Sequence, residues 1–225
     1  MAKHPLWSDE YWLLLIQLYL RKPVGVKPLY SRGLTDLALE LHIPQQFLYG
    51  QMFRLRQLDE PRLERLWTQY GKNPRRLRQA VERLRQMKGF GLGDDFYEGV
   101  ELNESFERDF RPIDQPYPPS ADGRSVEWMP LHLILILDLY FRLTPSTMVA
   151  ETPEIQELAK LMRMQASDVV EAMEVFQFCD PILRCNEFTI HPLMDACHDI
   201  WNRYGNGQPE RLAAVAAQLK AYFEP

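Results

Sequence analysis

The sequence lacks the features that identify most enzymes and membrane proteins. It contains no Gly-x-Ser-x-Gly nucleophile elbow, and Gly89, Gly91 and Gly93 follow no predicted strand, as a phosphate-binding loop would. Apolar runs such as Tyr11–Ile16 and Leu212–Ala217 are far shorter than the ~20 residues of a membrane-spanning helix. The first residues also lack the apolar segment of a secretion signal. We therefore expect a cytoplasmic protein that is not an enzyme and does not attach to a membrane.

Cysteine is scarce as well. The 225 residues include three cysteines, an odd and small number that argues against a disulfide framework and favours a reducing compartment. Cys179, Cys185, His191, Cys197 and His198 fall within 20 residues of sequence. Zinc ligands usually come in well-separated pairs of closely spaced residues, and this spacing does not provide such pairs. We predict buried thiols rather than a metal site, and no motif indicates a cofactor.

Charge is abundant but unevenly distributed. Residues 1–92 contain 16 Lys and Arg against 8 Asp and Glu, a net charge of +8. Residues 93–225 contain 10 against 23, a net charge of −13, and the two values sum to the −5 of the whole chain. Opposite charges on two segments predict either an anionic partner for the first segment or docking of one segment on the other.

The two halves of the chain carry the same pattern. Residues 7–60 align without a gap on residues 128–181, with nine identities and coinciding apolar positions. The identical pairs include Trp7 and Trp128, Leu14 and Leu135, Tyr19 and Tyr140, Ala38 and Ala159, Met52 and Met173, and Asp59 and Asp180. A second block follows in the same order, in which Trp67-x-x-Tyr70-Gly71 matches Trp201-x-x-Tyr204-Gly205 and Pro74-x-Arg76-Leu77 matches Pro209-x-Arg211-Leu212. Two ordered blocks indicate an internal duplication.

Apolar periodicity and capping residues predict a mainly α fold of two tandem helix-turn-helix or winged-helix-like domains. The helices expected in the first half are 9–21, 35–42, 44–57, 61–70 and 74–87. Those expected in the second half are 129–142, 153–163, 166–178, 192–204 and 209–222. Gly71 and Gly205 are predicted to cap the fourth helix of each half. The expected organisation is a basic domain over 1–88, a linker over 89–127 and an acidic domain over 128–225.

The predicted linker has ten acidic and three basic residues, and it contains four prolines between residues 112 and 119. It is also rich in aromatic residues, namely Phe90, Phe96, Tyr97, Phe106 and Phe110. A free linker does not require so many aromatic side chains. We therefore expect part of this segment to pack on a domain.

A further segment distinguishes the second half from the first. Ile182-Leu183-Arg184 and Phe188-Thr189-Ile190 flank Cys185-Asn186-Glu187, after the third predicted helix. This segment forms either a short β-hairpin, in the place where a winged helix carries its wing, or an ordinary loop.

The first half contains the spacing of a helix-turn-helix between Leu37 and Tyr49. Ala38 allows two helices to approach closely, and His42 occupies the turn position where glycine is usual. The predicted outward positions of the third helix are Gln45, Gln46, Tyr49, Gly50, Phe53 and Arg54. Glutamine pairs with adenine edges, and arginine pairs with guanine or phosphate. The residues predicted to contact DNA bases are Gln45, Gln46, Tyr49 and Arg54.

Basic residues are concentrated in the last two predicted helices of the first half. They are Arg62, Arg65, Lys72, Arg75, Arg76, Arg78, Arg83, Arg85 and Lys88, interrupted by Glu64 and Glu82. This density predicts a surface that contacts phosphates. The residues that we single out for this role are Arg75, Arg76, Arg78 and Arg83. The alternatives are a solvated helix face or a docking site for the acidic linker.

The second copy carries a family resemblance. The residues that carry it are Leu139-Tyr140, Pro153-Glu154-Ile155, Leu158-Ala159-Lys160-Leu161-Met162 and Cys179-Asp180-Pro181. They resemble the helical domain that precedes the catalytic part of some bacterial HNH restriction endonucleases. The resemblance covers residues 128–181 and, more loosely, 7–60, and it implies DNA binding. The His-Asn-His nuclease cluster is absent from the sequence.

The second copy departs from a DNA-binding surface at its predicted outward positions. These positions are Ala166, Ser167, Val170, Glu171 and Glu174. Phosphates repel carboxylates, so the first copy is the expected DNA-binding element. The sequence favours a non-enzymatic DNA-binding protein, a regulator or an accessory factor. The alternative is a protein–protein interaction module with a purely structural helix-turn-helix scaffold, whose acidic second domain binds a partner protein or a second copy of the chain.

Overall fold

A computed structural model describes residues 4–91, 106–114, 126–183 and 191–224 of the protein. The chain forms two compact units, Met1–Glu107 and Arg108–Pro225. The fold is mainly helical, as predicted, and the described residues contain no strand. None of the described helices is long and apolar enough to span a bilayer.

The described α-helices of the first unit are α1 (Trp12–Leu20), α2 (Arg32–Leu41), α3 (Gln45–Gln57), α4 (Pro61–Leu66) and α5 (Pro74–Arg85). A 3₁₀ turn at Asp9–Tyr11 precedes α1, and a π-helical turn at Trp67–Gly71 continues α4. The predicted helices are confirmed apart from the start of α2. That helix begins three residues before Thr35, because the extended residue Ser31 stands at its N-cap and the Thr35 side chain is buried inside the unit.

The second unit repeats the same order of elements. Its described α-helices are α6 (Pro130–Tyr140), α7 (Pro153–Met162), α8 (Ala166–Cys179), α9 (Met194–Ile200) and α10 (Pro209–Leu219). A π-helical turn at Trp201–Gly205 continues α9. Short 3₁₀ turns occur at Arg108–Phe110, Pro145–Thr147 and Lys220–Tyr222. Proline opens many of the helices in both units, because its missing N–H would have no partner at a first helical position.

The turn between the second and third helices has the same backbone in both units. His42 ends α2 at φ 53° and ψ 37°, and Arg163 ends α7 at φ 60° and ψ 37°. Their amides donate to the carbonyls of Ala38 and Ala159 respectively. A residue in the left-handed conformation closes the helix in each copy. Neither residue is glycine, although the Cβ atom of any other residue disfavours this conformation sterically.

The core of the first unit surrounds α1. The buried residues of α1 are Trp12, Leu14, Leu15, Ile16 and Leu18. Helices α3 and α5 and the π-helical turn pack against α1. Tyr19 lies at the border of this core, edge-on to Trp67 with ring centroids 5.7 Å apart. The apolar residues of α1 therefore form a packing surface.

Helix α6 is the central helix of the second unit. Every residue from Leu131 to Tyr140 is buried, including His132 and Asp138. Helices α7, α8, α9 and α10 pack on α6. The Asp138 carboxylate accepts a hydrogen bond from Arg142 at 2.7 Å, which compensates for the burial of a charge.

The repeated Trp-x-x-Tyr-Gly sequences form the two π-helical turns. Gly71 and Gly205 are the last residues of these turns and do not have positive φ, so the prediction that they lie past the helix ends as C-terminal caps is wrong. Instead, the indole of the tryptophan four residues earlier lies against each glycine. A Cβ atom would come within 3.0 Å of Trp67 at Gly71 and within 2.6 Å of Trp201 at Gly205. Glycine is required there for close approach rather than for backbone conformation.

Residues from two places in the predicted linker, Phe90 and the pair Phe106 and Glu107, pack on the first unit. Phe90 lies edge-on to Tyr11, with centroids 5.9 Å apart, and Phe106 packs against the same core. Glu107 is 1% exposed, and its Oε1 lies 2.7 Å from Nδ1 of His42. The expectation that part of this segment packs on a domain is confirmed for these residues.

The linker continues into the second unit. Phe110 is buried there beside Tyr222, with centroids 5.7 Å apart. The boundary between the two units therefore falls inside the predicted linker rather than at its ends. Phe96, Tyr97 and residues 184–190 of the predicted hairpin lie outside the described residues, and residues 181–183 form a turn.

Candidate nucleic-acid interface

The inward face of α3 follows its helical periodicity. Its buried residues are Gln45, Leu48, Gln51, Met52 and Leu55, which recur three or four residues apart as one face of a helix requires. Gln45 is 1% exposed, so the prediction that it points outward to a base edge is wrong. The second copy has the half-buried Ala166 and the buried Ala172 at the positions of Gln45 and Gln51.

Two other residues predicted to contact bases lie on the accessible side of α3. Gln46 is exposed, and its Nε2 donates a hydrogen bond to the Tyr30 hydroxyl at 3.2 Å. Tyr49 is half-buried and lies edge-on to Phe53, with centroids 5.0 Å apart. Both polar groups are thus near the surface, and the Gln46 amide already has a partner within the unit.

Arg54 is neutralised within the first unit. Its Nε donates to Asp59 Oδ2 at 2.9 Å, and its Nη2 is hydrogen-bonded to the Glu60 carboxylate. Its Nη1 donates to Gln51 Oε1 at 3.1 Å, and the guanidinium lies 5.8 Å from the centroid of a Trp12 ring. The hydrogen bond to Asp59 raises the pKa of Arg54. The guanidinium of Arg54 is therefore already paired with two carboxylates and is a poor candidate for binding a phosphate or a guanine.

Sequence reasoning missed two accessible residues at the end of α3. Arg56 and Gln57 are exposed, and Phe53 is 37% exposed. The spacing of the apolar residues Leu48, Met52 and Leu55 could have predicted this exposure. It places Gln46, Gly50, Phe53 and Gln57 along the opposite side of the helix, which we call the outward line of α3. This outward line carries no charged residue.

Residues before α1 cover one flank of the start of α3. Phe47 is half-buried, and its ring centroid lies 5.5 Å from those of both His4 and Trp7. Trp7 itself is buried. The first turn of a recognition helix is the part that normally meets base edges, so this cover reduces the accessible surface of α3.

Helix α5 has the strongest amphipathic pattern of the first unit, and its caps explain its start. The Asn73 side chain accepts a hydrogen bond from the Arg76 amide at 3.1 Å, and Pro74 occupies the first helical position. Leu77, Val81 and Leu84 form the buried face. The remaining positions are available for charged side chains.

The four arginines predicted to contact phosphates are all exposed on α5. They are Arg75, Arg76, Arg78 and Arg83. The Arg76 guanidinium lies 5.4 Å from the ring centroid of Tyr70, within the range of a cation–π interaction. Within the described parts of the chain, no carboxylate lies at ion-pair distance from Arg75, Arg78 or Arg83. These cations differ in this respect from Arg54.

Other basic residues of the predicted cluster have structural partners. Arg85 donates from Nε and Nη2 to the two carboxylate oxygens of Glu40, at 2.6 and 2.9 Å. The hydrogen bonds to Glu40 raise the pKa of Arg85. Arg62 pairs with Asp9 at 2.5 Å. The Arg85 pair joins the end of α5 to the end of α2 and so fixes the position of α5.

The second unit shows which features of α5 the packing requires. The buried residues Leu77, Val81 and Leu84 correspond to the buried residues Leu212, Ala216 and Leu219 of α10. The exposed residues Arg75, Arg78 and Arg83 correspond to Glu210, Ala213 and Gln218. Arg76 corresponds to the exposed Arg211. The two helices therefore share a packing face and one exposed arginine, but the other three arginines occur on α5 alone of the two.

Helix α8, the counterpart of α3, presents an acidic surface. Ser167 and Glu174 are exposed, and Ala166, Val170 and Glu171 are half-buried, so none of the predicted outward positions is in the core. Glu171 Oε1 lies 3.1 Å from Nε2 of His191. The buried Asp168 accepts a hydrogen bond from the Gln165 amide at 2.9 Å and caps the helix.

The two described cysteines of the second unit, Cys179 and Cys197, are buried thiols. Burial raises the pKa of Cys179 to about 11 and raises the pKa of Cys197 still further. Both thiols are therefore protonated at neutral pH and poorly nucleophilic. Among the described residues, no group of His, Cys, Asp or Glu is arranged to hold a metal ion. Cys185 lies outside the described residues.

In comparisons with protein-family models, curated proteins and solved structures, no match to this chain is found.

Proposed function

We propose that the protein binds DNA without catalysing a reaction and that the arginine surface of α5 supplies the phosphate contacts. Arg75, Arg76, Arg78 and Arg83 are the residues assigned to these contacts. Exposed guanidinium groups bind phosphate oxygens through several donors at once, and each contact releases condensed counterions from the duplex. A regulator or an accessory factor would use such a surface.

The observation that carries the proposal is the difference between α5 and α10. Both helices have the same buried face, and Arg76 corresponds to the exposed Arg211 of α10. Arg75, Arg78 and Arg83 have no cation at the matching positions of α10, so this packing does not require these three charges. A charged surface that the scaffold does not require is best explained by an anionic ligand.

Helix α3 offers fewer groups for contact with DNA than the helix-turn-helix pattern of the sequence predicts. Gln45 is buried, and the charge of Arg54 is neutralised by Asp59 and Glu60. Gln46 and Tyr49 are the two predicted residues of α3 that still have surface access. The electrostatic attraction therefore comes mainly from α5, and the exposed Arg56 is the cation that α3 adds to it.

Fluorescence anisotropy with a labelled duplex, titrated at several salt concentrations, tests the proposal. We expect binding that weakens as salt rises, and the variant Arg75→Ala/Arg78→Ala/Arg83→Ala should lower the slope of log K against log salt by about 1 for each lost contact. A matched control is Lys160→Ala/Arg163→Asn/Arg211→Ala, which removes three exposed cations of the second unit. Absence of binding, or equal losses in the two variants, contradicts the proposal.

A second candidate function is protein–protein interaction, and the surface of α3 favours it. The outward line of α3 is uncharged and includes the partly exposed ring of Phe53 beside Tyr49. In this case the acidic second unit binds a partner protein or a second copy of the chain. Light scattering measures the oligomeric state. A concentration-dependent dimer that Phe53→Ser or Glu174→Ala disrupts, combined with no duplex binding, would support this function over the first.

A further inference from the structure

We infer that α5 is itself the helix that enters the major groove of DNA, with a line of polar residues toward the bases and arginines on both sides of that line. This inference rests on the proposed function, because it concerns the same surface. It adds the identity of the reading helix and the groove that it occupies. The sequence alone predicts that α3 reads the bases and that α5 contacts only phosphates.

The exposed side of α5 divides into a central line and two flanks. The central line, opposite the buried face, consists of Arg75, Gln79, Glu82 and Gln86, and all four residues are exposed. They are separated by four, three and four positions, so they follow one side of the helix. Gln86 stands at the C-cap and keeps helical backbone angles.

Arginines occupy the two flanks of this line. Arg76 and Arg83 lie on one side, seven positions apart, and Arg78 and Arg85 lie on the other side with the same separation. Two residues seven positions apart on an α-helix are about 10 Å apart along its axis. Arg85 pairs with Glu40, which leaves Arg76, Arg78 and Arg83 as the flanking cations nearest to a ligand.

This arrangement matches the shape and chemistry of a major groove. The groove is about 12 Å wide, which is close to the diameter of an α-helix with its side chains. Cations on both sides of the helix meet the phosphates of both strands, while the central line faces the base edges. The α-helix of 12 residues is about 18 Å long, enough for three turns inside the groove.

The residue types of the central line are those that read bases. Arginine pairs with guanine, glutamine pairs with adenine, and glutamate accepts from the amino group of cytosine. Glu82 is informative because a carboxylate on a flank would repel the phosphates. Its place on the central line, away from both flanks, keeps it over the bases.

The second unit again separates packing from function. At the positions of Gln79, Glu82 and Gln86, it has Ala214, Ala217 and Ala221. The helix α10 thus folds on the same buried face without any of these polar side chains. The central line of α5 is therefore not part of the scaffold. The same holds for the flanking Arg78 and Arg83, whereas Arg76 and Arg85 correspond to the basic residues Arg211 and Lys220.

Selection of duplexes from a randomised library by the full-length protein, followed by chemical interference on the selected site, tests this inference. Methylation of guanine at N7 blocks the major groove, and ethylation blocks phosphates. We expect interference from both. The variant Gln79→Ala/Gln86→Ala carries the residues of the second copy and should keep its affinity for random duplex. The ratio of its affinities for the selected and the random duplex should fall roughly tenfold for each lost base contact.

A matched variant of α3, Gln46→Ala/Gln57→Ala, should leave the preference unchanged. Interference from phosphate ethylation without interference from N7 methylation overturns the inference but leaves DNA binding in place. Loss of preference in the α3 variant, rather than in the α5 variant, also overturns it and assigns the reading role to α3. Absence of binding to any duplex overturns the proposed function itself. A thermal melt of each variant establishes that the comparison is made between folded proteins.

Discussion

The indole ring of Trp201 lies against the α-carbon of Gly205, at the end of the π-helical turn of the second unit. A Cβ atom on this glycine would stand 2.6 Å from the ring, closer than packed atoms tolerate, and Trp201 is buried among the rings of Tyr140, Phe141 and Phe176. The ring therefore has little room to move away. Trp67 and Gly71 repeat the contact in the first unit at 3.0 Å, where the indole is half-buried.

We predict that Gly205→Ala destabilises the second unit by about 1–3 kcal/mol, because the added methyl group forces a buried indole out of its packed position. Gly71→Ala should cost less, since Trp67 has more freedom to shift. The control is Gly207→Ala, where a Cβ atom would make an ordinary contact at 3.4 Å. Urea denaturation of the three variants gives the order. A larger loss for Gly207→Ala than for Gly205→Ala would contradict it.

His132 makes the second unit sensitive to acid. Burial lowers its pKa to about 4, against 6.5 for an exposed histidine, and the ring accepts a hydrogen bond from the Met129 amide at 3.1 Å and stacks on Phe223. Below pH 6.5 the His132 ring binds a proton in the unfolded chain, whereas in the folded chain the same ring stays neutral down to about pH 4. The stabilising free energy from His132 is thus fully present above pH 6.5 and declines as the pH falls to 4, by about 3 kcal/mol in total.

Urea denaturation at a series of pH values between 7 and 4 measures this effect. His132→Phe should lose stability at neutral pH but show a shallower decline toward acid than the unmodified protein. His198→Phe, at an exposed histidine, is the control and should follow the unmodified protein. If His132→Phe declines as steeply as the unmodified protein, the buried ring is not the acid-sensitive group.

Arg203 and Asp109 join the start of the second unit to the π-helical turn. The guanidinium donates two hydrogen bonds of 2.7 Å to the two carboxylate oxygens. Burial of the guanidinium opposes its charge, but the hydrogen bonds and the charge of Asp109 outweigh burial and raise the pKa of Arg203. A double-mutant cycle with Arg203→Met and Asp109→Ala should give a coupling energy of about 1–3 kcal/mol.

The neighbouring acid Asp199 provides the control for that cycle. It is half-exposed, and its Oδ2 lies 3.7 Å from Arg203 Nη1, beyond hydrogen-bonding distance. A cycle with Asp199→Ala should give less than about 1 kcal/mol, as exposed ion pairs do. Equal coupling energies for the two acids would show that the bidentate geometry is unimportant.

Glu107 determines where the first unit ends. It is buried against His42 at the turn between α2 and α3, although the sequence places it in the linker. We predict that Glu107→Ala destabilises the first unit by about 1–3 kcal/mol, because the buried histidine loses its partner. Glu107→Gln preserves a hydrogen-bonding group and should cost less. Acidic residues of the described linker in the second unit, such as Asp114, serve as a control, and Asp114→Ala should have little effect on the first unit.

Thr35 offers a stabilising substitution. Its side chain is fully buried in α2, and its hydroxyl oxygen has no hydrogen-bond partner among the described residues. Thr35→Val keeps the shape and removes the unpaired group, so the free energy of unfolding should rise by up to about 1 kcal/mol. Thr35→Ser, which keeps the hydroxyl and removes a methyl group, should destabilise the unit. A loss of stability in Thr35→Val would reveal a partner for the hydroxyl.

The sequence by itself determined the helices and their repetition. Apolar residues spaced three and four positions apart mark a buried helical face wherever the helix lies, and Trp-x-x-Tyr-Gly marks the same repeated segment in both halves. The exposure of Arg75, Arg78 and Arg83 also followed from local pattern, because Leu77, Val81 and Leu84 fix the inner side of α5. These features depend on residues within about one helical turn of each other, so a sequence contains them directly.

Only the tertiary structure decided which of the polar groups remain accessible. Gln45 is buried, Glu107 belongs to the first unit, and Asp59 and Glu60 neutralise Arg54. The Glu107 carboxylate is buried against His42, 65 residues away in the sequence, whereas Nε2 of the buried Gln45 has no hydrogen-bond partner among the described residues. Helical periodicity relates neither side chain to the residues around it. The role of such a side chain is therefore set by the folded neighbours of the helix, whereas the helix itself is set by its own spacing of apolar residues.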